Sequence, residues 1–269
     1  MATSDFDFDL GSIAVPFRMQ PGLRKLPAHA RHLTPLAPGS ALWLEKKRVV
    51  DSGAVPLVVP GFDRTPALAA IEAQAKAEGL PFSQPVELAF AEDFAVLEGV
   101  GTTLPWLSVA VPSHWAPEEK LGLPFGAVHA PVADNQVLLA AQKHLVQLAT
   151  SGERLERFVW TLTPSGRYDQ HPVRQARTPW PDVLDLEAFA AQCFVRAERQ
   201  TFFPVPGADR QAVFTIRVML APLLEVAADR AHARRLHDSL GSMSEAVLAY
   251  KGLAPARDRL LAWLAARAA

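Results

Sequence analysis

A chain of 269 residues, 49% hydrophobic and 20% charged, carries ample apolar surface for a packed core, which excludes a disordered polymer. Its 27 basic and 28 acidic side chains leave a net charge of −1, so no charge bias draws it to nucleic acid or anionic lipid. Cysteine occurs once, at Cys193, which excludes an intrachain disulfide framework and a cysteine-ligated zinc or iron–sulfur cluster.

The opening MATSDFDFDLGSIAVPF is acidic and lacks both a basic leader and a continuous apolar stretch, so it does not read as a signal peptide. No run approaches the roughly 18 apolar residues of a membrane span. The expectation is a soluble, cytoplasmic protein. Asp5, Asp7 and Asp9 alternate without the glycine and glutamate spacing of a calcium loop, and read as a solvated arm. Residues 1–60 hold turn signals such as Gln20-Pro21-Gly22 and Pro38-Gly39-Ser40 and are expected to wrap a core as loops and short strands.

The first clear helix is predicted from Thr65, with Thr65 as cap, Pro66 in the first turn, Gly79 past the end, and Leu68, Ile71 and Ala75 facing inward. Trp106 to Val111 reads as a strand. Trp115, Glu119, Lys120 and Gly122 read as a turn after it, with Trp115 as lid or core anchor. A second helix is predicted from Asp134 to Thr150, burying Val137, Ala141, Leu145 and Leu148. Arg157 to Thr163 reads as a strand. LEAFAAQ favours a helix from Asp185. That helix either ends near Cys193 before a strand, the preferred reading, or runs on through Glu198.

Residues 194–203 and 212–220 read as two strands joined by PVPGADRQ. Alternation sets Phe214, Ile216 and Val218 on one face and Val213, Thr215, Arg217 and Met219 on the other. From about Leu220 the chain is expected to form at least three helices, interrupted at Gly241 and Gly252, with Pro255 opening the last. The sum is an α+β fold, helices covering a mostly antiparallel sheet. It divides into a wrapping segment (1–60), a core (61–221) and C-terminal helices (222–269).

Motifs for several chemistries are missing: no P-loop, no GxGxxG, no GxSxG and no His-Glu-x-x-His. Cys193 reads as a small buried hydrophobe rather than a nucleophile. His129, in GAVHAPV, is read in a short strand that Pro131 ends, sharing a face with Ala127. Two readings fit it: a core histidine satisfied by a backbone carbonyl, or an imidazole with clearance for the metal of a planar cofactor. In RAERQ, alternation puts Arg196, Glu198 and Gln200 on one face and Arg199 on the other with Ala197 and Thr201. These residues read either as an exposed face with a cross-strand ion pair or as the polar lining of a ligand site. Arg217 stands among apolar neighbours and needs an anionic partner, Glu198 or a cofactor carboxylate.

Three blocks occur in order: VPFRMQPGLRKL, PSHWAPEEKLGLPFGAVHAPV and VRAERQTFF…AVFTIRVMLAPL. Together they resemble the family of haem-dependent oxidative N-demethylase α-subunits, to which dimethylamine monooxygenase large subunits are similar. The resemblance implies a PAS-like fold holding haem b (iron), a monooxygenase that activates dioxygen, and a reaction that removes a methyl group from a small secondary amine as formaldehyde. It implies electrons from NADPH through a partner reductase carrying flavin and an iron–sulfur cluster, and hence a hetero-oligomer or homo-oligomer.

By position, the resemblance puts the metal-ligating histidine on His129, a distal donor on Arg199 or Arg217, the substrate ammonium at Glu198, and the haem propionates at Arg18 and Arg196. The alternative function is a non-catalytic PAS-like module that binds haem or a small ligand as a sensor. The chain departs from the family pattern at Ala133-Asp134-Asn135, at Val159, where a polar residue is expected, and at Phe202-Phe203.

Overall fold

The computed structural model of the chain describes residues 6–269. Among them a seven-stranded sheet forms the centre: β1 (Arg24–Lys25), β2 (Leu57–Val58), β3 (Glu92–Glu98), β4 (Trp106–Ser108), β5 (Leu155–Thr163), β6 (Phe194–Pro204) and β7 (Gln211–Pro222). The strands pair antiparallel in the order β1-β5-β6-β7-β3-β4-β2. Renumbered among themselves in chain order, β3 to β7 stand as 2-1-5-4-3 across the sheet, an order compatible with a PAS-like arrangement. Around the sheet lie α1 (Ala41–Asp51), α2 (Thr65–Ala77), α3 (Val86–Ala89), α4 (Phe125–His129), α5 (Gln136–Ala140), α6 (Gln142–Ala149), α7 (Leu186–Ala190), α8 (Leu223–Val226), α9 (Arg230–Gly241), α10 (Glu245–Tyr250) and α11 (Arg257–Ala268). The α+β class with a helical C-terminal region is therefore observed. No helix of the described residues is long and apolar enough to cross a membrane.

Strand alternation gives the sheet two distinct faces. The front carries Arg157, Val159 and Thr161 of β5, Arg196, Glu198 and Gln200 of β6, and Ile216, Val218 and Leu220 of β7. Leu42 and Val49 of α1 pack there against Ala95, Leu107 and Ile216, and Val146 and Ala149 of α6 against Leu97, Leu155 and Phe202. The back carries Ala197, Arg199 and Thr201 opposite Met219, Arg217 and Thr215. Leu236, Leu240, Leu260 and Trp263 of α9 and α11 cover one end of the back against Trp160, Leu162 and Met219. Ala67, Ala70 and Ile71 of α2 cover the other end against Phe94, Val96 and Trp106.

Helix α2 starts where expected, with Pro66 in its first turn and Gly79 at φ +68° beyond its end. Thr65 is its first residue rather than its cap, and donates its N–H to Asp63 Oδ1 at 2.9 Å. The helix expected over 134–150 is two helices. Asp134 takes φ +51°, Asn135 turns its amide back to the carbonyls of His129 and Ala130, and the backbone breaks at Ala141. That break rotates Val137 outward to 63% exposure and turns Leu138 inward. Helix α7 is capped by Asp185 and ends before β6, so β6 is a strand from Phe194. Cys193 is fully buried, and burial pushes its thiol up to about 12.

Strand β3 was not expected, because it opens on two acids. Both are buried. Glu92 accepts the Thr34 N–H at 2.9 Å. Asp93 pairs with the Lys46 ammonium at 3.2 Å and accepts the Val111 N–H at 2.9 Å. Lys46 itself, fully buried on α1, also donates to the carbonyls of Phe90 at 3.0 Å and Glu92 at 2.7 Å. The Asp93 bond draws residues 109–111 away from sheet pairing, so β4 ends at Ser108 rather than at Val111.

His32 is buried against Phe203 on the back face. Its Nε2 accepts from Arg154 Nε at 3.0 Å, which fixes the neutral tautomer whose Nδ1–H donates to Thr201 Oγ1 at 3.0 Å. Burial, with the charges of Arg154 and Arg199, lowers its pKa to about 3.

Two outcomes follow. Lys46→Met leaves Asp93 buried and unpaired, so denaturant unfolding is expected to show a loss of about 3–5 kcal/mol. His32 has a folded pKa below its unfolded value, so its stabilising contribution is full above about pH 6.5 and shrinks as pH falls toward about 3. Urea midpoints measured from pH 7 down to pH 4 are expected to fall, and to fall less steeply in His32→Gln.

Candidate functional site

The front face is a series of rungs across β5, β6 and β7. Leu155, Phe202 and Phe214 form an apolar rung, with the two phenylalanine rings stacked at 4.7 Å and 12°. The next rung is Arg157, Gln200 and Ile216. Then come Val159, Glu198 and Val218, and then Thr161, Arg196 and Leu220. Polar side chains thus stand in the middle of a face whose flanks are packed with aliphatics.

Phe125 of α4 packs with the apolar rung. His129 is the last residue of α4, not part of a strand, because residues 125–129 close helical turns after Pro124. Its ring lies tilted by 31° against Phe125 at 4.0 Å, and Phe125 itself packs on the front-face rung. Its Nδ1 bonds the Phe125 carbonyl at 2.8 Å. Burial lowers its pKa against the opposing bond to the Phe125 carbonyl, and the charges of Arg157 and Lys120 add smaller lowering contributions.

Glu198 is half-buried and oriented by two donors. The Ser113 hydroxyl donates to Oε1, and Gln200 Nε2 donates to Oε2 at 2.8 Å. Ser113 in turn accepts from Arg196 Nε at 2.8 Å. Arg196 is 1% exposed and spends its other donors on the carbonyls of Arg167 and Val111, both at 3.2 Å. Burial lowers its pKa to about 10, opposed chiefly by Glu198.

Arg157 differs from Arg196 in one respect. Its Nε is buried and has no hydrogen-bond partner. Burial lowers its pKa, and the charges of Glu198 and Tyr250 oppose that. Lys251, just past α10, donates its ammonium to the Trp160 carbonyl at 2.8 Å and lies 5.4 Å from the Phe17 ring centre. Burial lowers the Lys251 pKa to about 8, with Glu198 raising it and Arg157 lowering it.

Of the residues singled out from the sequence, His129, Glu198 and Arg196 therefore come together on the front. Arg199 and Arg217 do not. They pair with each other across the back. Arg199 bonds Glu156 at 3.0 Å and the Arg31 carbonyl at 2.8 Å; Arg217 bonds Asp7 at 2.8 Å. Glu198 is thus not the partner of Arg217, since the sheet separates them. Arg18 is exposed in the segment that follows Phe17. Arg157, Ser113 and Lys251 are the site residues that sequence reasoning passed over. Arg157 had a visible signal, an arginine on the same strand face as Val159.

An uncompensated guanidinium nitrogen inside a half-open polar patch fits an anionic group of a bound cofactor. A histidine with one nitrogen held by a carbonyl has its other nitrogen available as a metal ligand. No group of three or more His, Cys, Asp or Glu side chains converges among the described residues.

Residues 81–261, two thirds of the chain, match the family described as haem-dependent oxidative N-demethylase, alpha subunit-like, and the chain belongs to that family. The matched stretch contains β3 to β7, His129, Arg157 and Glu198, and leaves out Arg18. Haem dependence, an oxidative N-demethylase activity and an alpha subunit's place in a multi-subunit enzyme come with the family description.

The Lys251 ammonium reports the field of this patch. An NMR titration of ¹³C-methylated lysines is expected to show one group near pH 8. That midpoint should move up in Arg157→Met and further down in Glu198→Gln.

Proposed function

We propose that residues of the front face of the sheet would hold haem b, with His129 as the side chain that would ligate the iron, and that the chain removes a methyl group oxidatively from a small secondary amine bound at Glu198. The observation that carries this reading is the state of His129. With Nδ1–H donated to the Phe125 carbonyl at 2.8 Å, Nε2 keeps its lone pair. The lowered pKa keeps the ring in that neutral form at physiological pH.

Haem, when bound, supplies dioxygen activation and the oxidation of the methyl group. The chain supplies binding and orientation. Arg157 offers its unpartnered Nε to a propionate. It takes the part that the resemblance gave to Arg18 and Arg196, because the Arg196 donors are occupied by protein acceptors. Arg196 instead positions Ser113, and Ser113 positions Glu198. The Glu198 carboxylate, fixed from both sides, accepts an N–H of the substrate ammonium on its remaining lone pairs. Val159, directly across from Glu198, provides an apolar wall for methyl groups. Arg199 and Arg217 have no part in this reading, since they project from the other face.

The overall reaction takes one dioxygen, two electrons and two protons and yields the demethylated amine, formaldehyde and water. NADPH supplies the electrons through a partner reductase with flavin and an iron–sulfur cluster, since this chain has a lone buried cysteine and no nucleotide-binding motif. A cytoplasmic setting suits that supply.

Protein expressed with haem precursor is expected to show a Soret band that His129→Ala removes or displaces; an unchanged band would exclude this ligand. Glu198→Gln is expected to keep the band while lowering kcat/KM for dimethylamine-dependent formaldehyde release roughly ten- to hundred-fold. Undiminished release would remove Glu198 from substrate binding.

A further inference from the structure

A second hollow lies beside the front face, between the loop carrying His114 and the segment 163–178. Two adjoining chambers share His114, Ser165, Arg177 and Thr178. The larger encloses about 130 Å³, and the smaller, about 20 Å³, reaches Lys251. An apolar cavity of about 150 Å³ holds benzene, so the larger chamber accommodates a ligand of several heavy atoms.

Its charge is one-sided. Arg167 and Arg177 line the larger chamber, and Lys251 lines the smaller. Asp169 is the acid in the lining, and it is already engaged. Arg174 binds it at 3.0 and 3.1 Å, and the His171 N–H at 3.0 Å. Arg177 and Gln170 are two lining residues with unfilled hydrogen-bonding capacity. The Arg177 guanidinium makes no hydrogen bond or ion pair among the described residues. Gln170 is 4% exposed; its Nε2 donates to the Arg167 carbonyl at 3.2 Å, which assigns the amide, and its buried Oε1 accepts nothing. The chamber therefore offers a charged donor for an anion and a desolvated acceptor for an N–H or O–H.

We propose that this hollow is a binding site for a small carboxylate that also carries a hydroxyl or amino donor, of the α-hydroxy or α-amino acid class. The carboxylate pairs with Arg177, and the adjacent donor satisfies Gln170 Oε1. The proposal does not depend on the haem reading, although the smaller chamber shares Lys251 with the front-face site. The hollow also backs onto Glu198, because Arg196 bridges the Arg167 carbonyl to Ser113.

Calorimetric titration of the purified protein with lactate and with propionate tests the site. Lactate is expected to bind saturably and about ten-fold more tightly than propionate, which lacks the donor. Arg177→Gln is expected to abolish lactate binding, and Arg177 is exposed, so that variant keeps its fold. Gln170→Leu is expected to bring lactate and propionate to equal affinity, with its far-ultraviolet circular dichroism unchanged. Absence of saturable lactate binding, equal affinities in the unsubstituted protein, or binding untouched by Arg177→Gln would overturn the proposal. A haem propionate is the other source of a carboxylate. Faster haem loss from Arg177→Gln, with lactate excluded from the haem-loaded protein, would assign the arginine to haem and overturn it too.

Discussion

The buried pair between Lys46 and Asp93 governs where the front face can exist. An ammonium with no access to water is tolerated only when its donors are taken, and here they go to the carbonyls of Phe90 and Glu92 and to the Asp93 carboxylate. The other Asp93 oxygen holds the Val111 N–H. One ion pair thus fixes α1, the start of β3 and the segment that leaves β4. Ser113 lies two residues further on, and it sets both Glu198 and Arg196. The position of a surface-facing carboxylate is in this way inherited from a charge in the core.

The sheet sorts similar residues into different work. On the back, Arg199 and Arg217 stand directly opposite each other, a repulsive pairing on its own. Glu156 and Asp7 supply the negative charge, and Arg24 joins Arg199 on Glu156. Those contacts fasten the N-terminal segment across the sheet. On the front, Arg157 and Glu198 are less completely satisfied, and the patch is open. Ligand-binding capacity resides where the protein leaves polar groups unmatched, and architectural strength where it matches them.

Much of this division was legible beforehand. Alternation alone separated Arg196, Glu198 and Gln200 from Arg199, and Phe214 from Arg217, because side-chain period in a strand is independent of what lies above it. Helix α2 was legible from its proline and glycine punctuation. Three ordered blocks led to the family. Illegible were features created by distant partners. Acids opening β3 look like loop residues until Lys46 and Thr34 arrive to pair with them. The break at Ala141 has no proline or glycine to announce it. His129 seemed extended because small residues and a proline surround it, yet helical turns from Pro124 claim it. Phe202 and Phe203, which depart from the family pattern, have packing roles against Phe214 and His32 that no short window displays.

The contact of Lys251 with the Trp160 carbonyl carries a consequence for assembly. Strand β1 covers β5 at Leu155 and Glu156, and among the described residues no strand neighbours the outer rim of β5 from Arg157 onward. Backbone left open in this manner templates pairing with another chain unless something blocks it. One ammonium presented at the end of α10 is a blocking device on that rim. The C-terminal helices therefore cover part of that rim, and withdrawing them would bare an unpaired strand border.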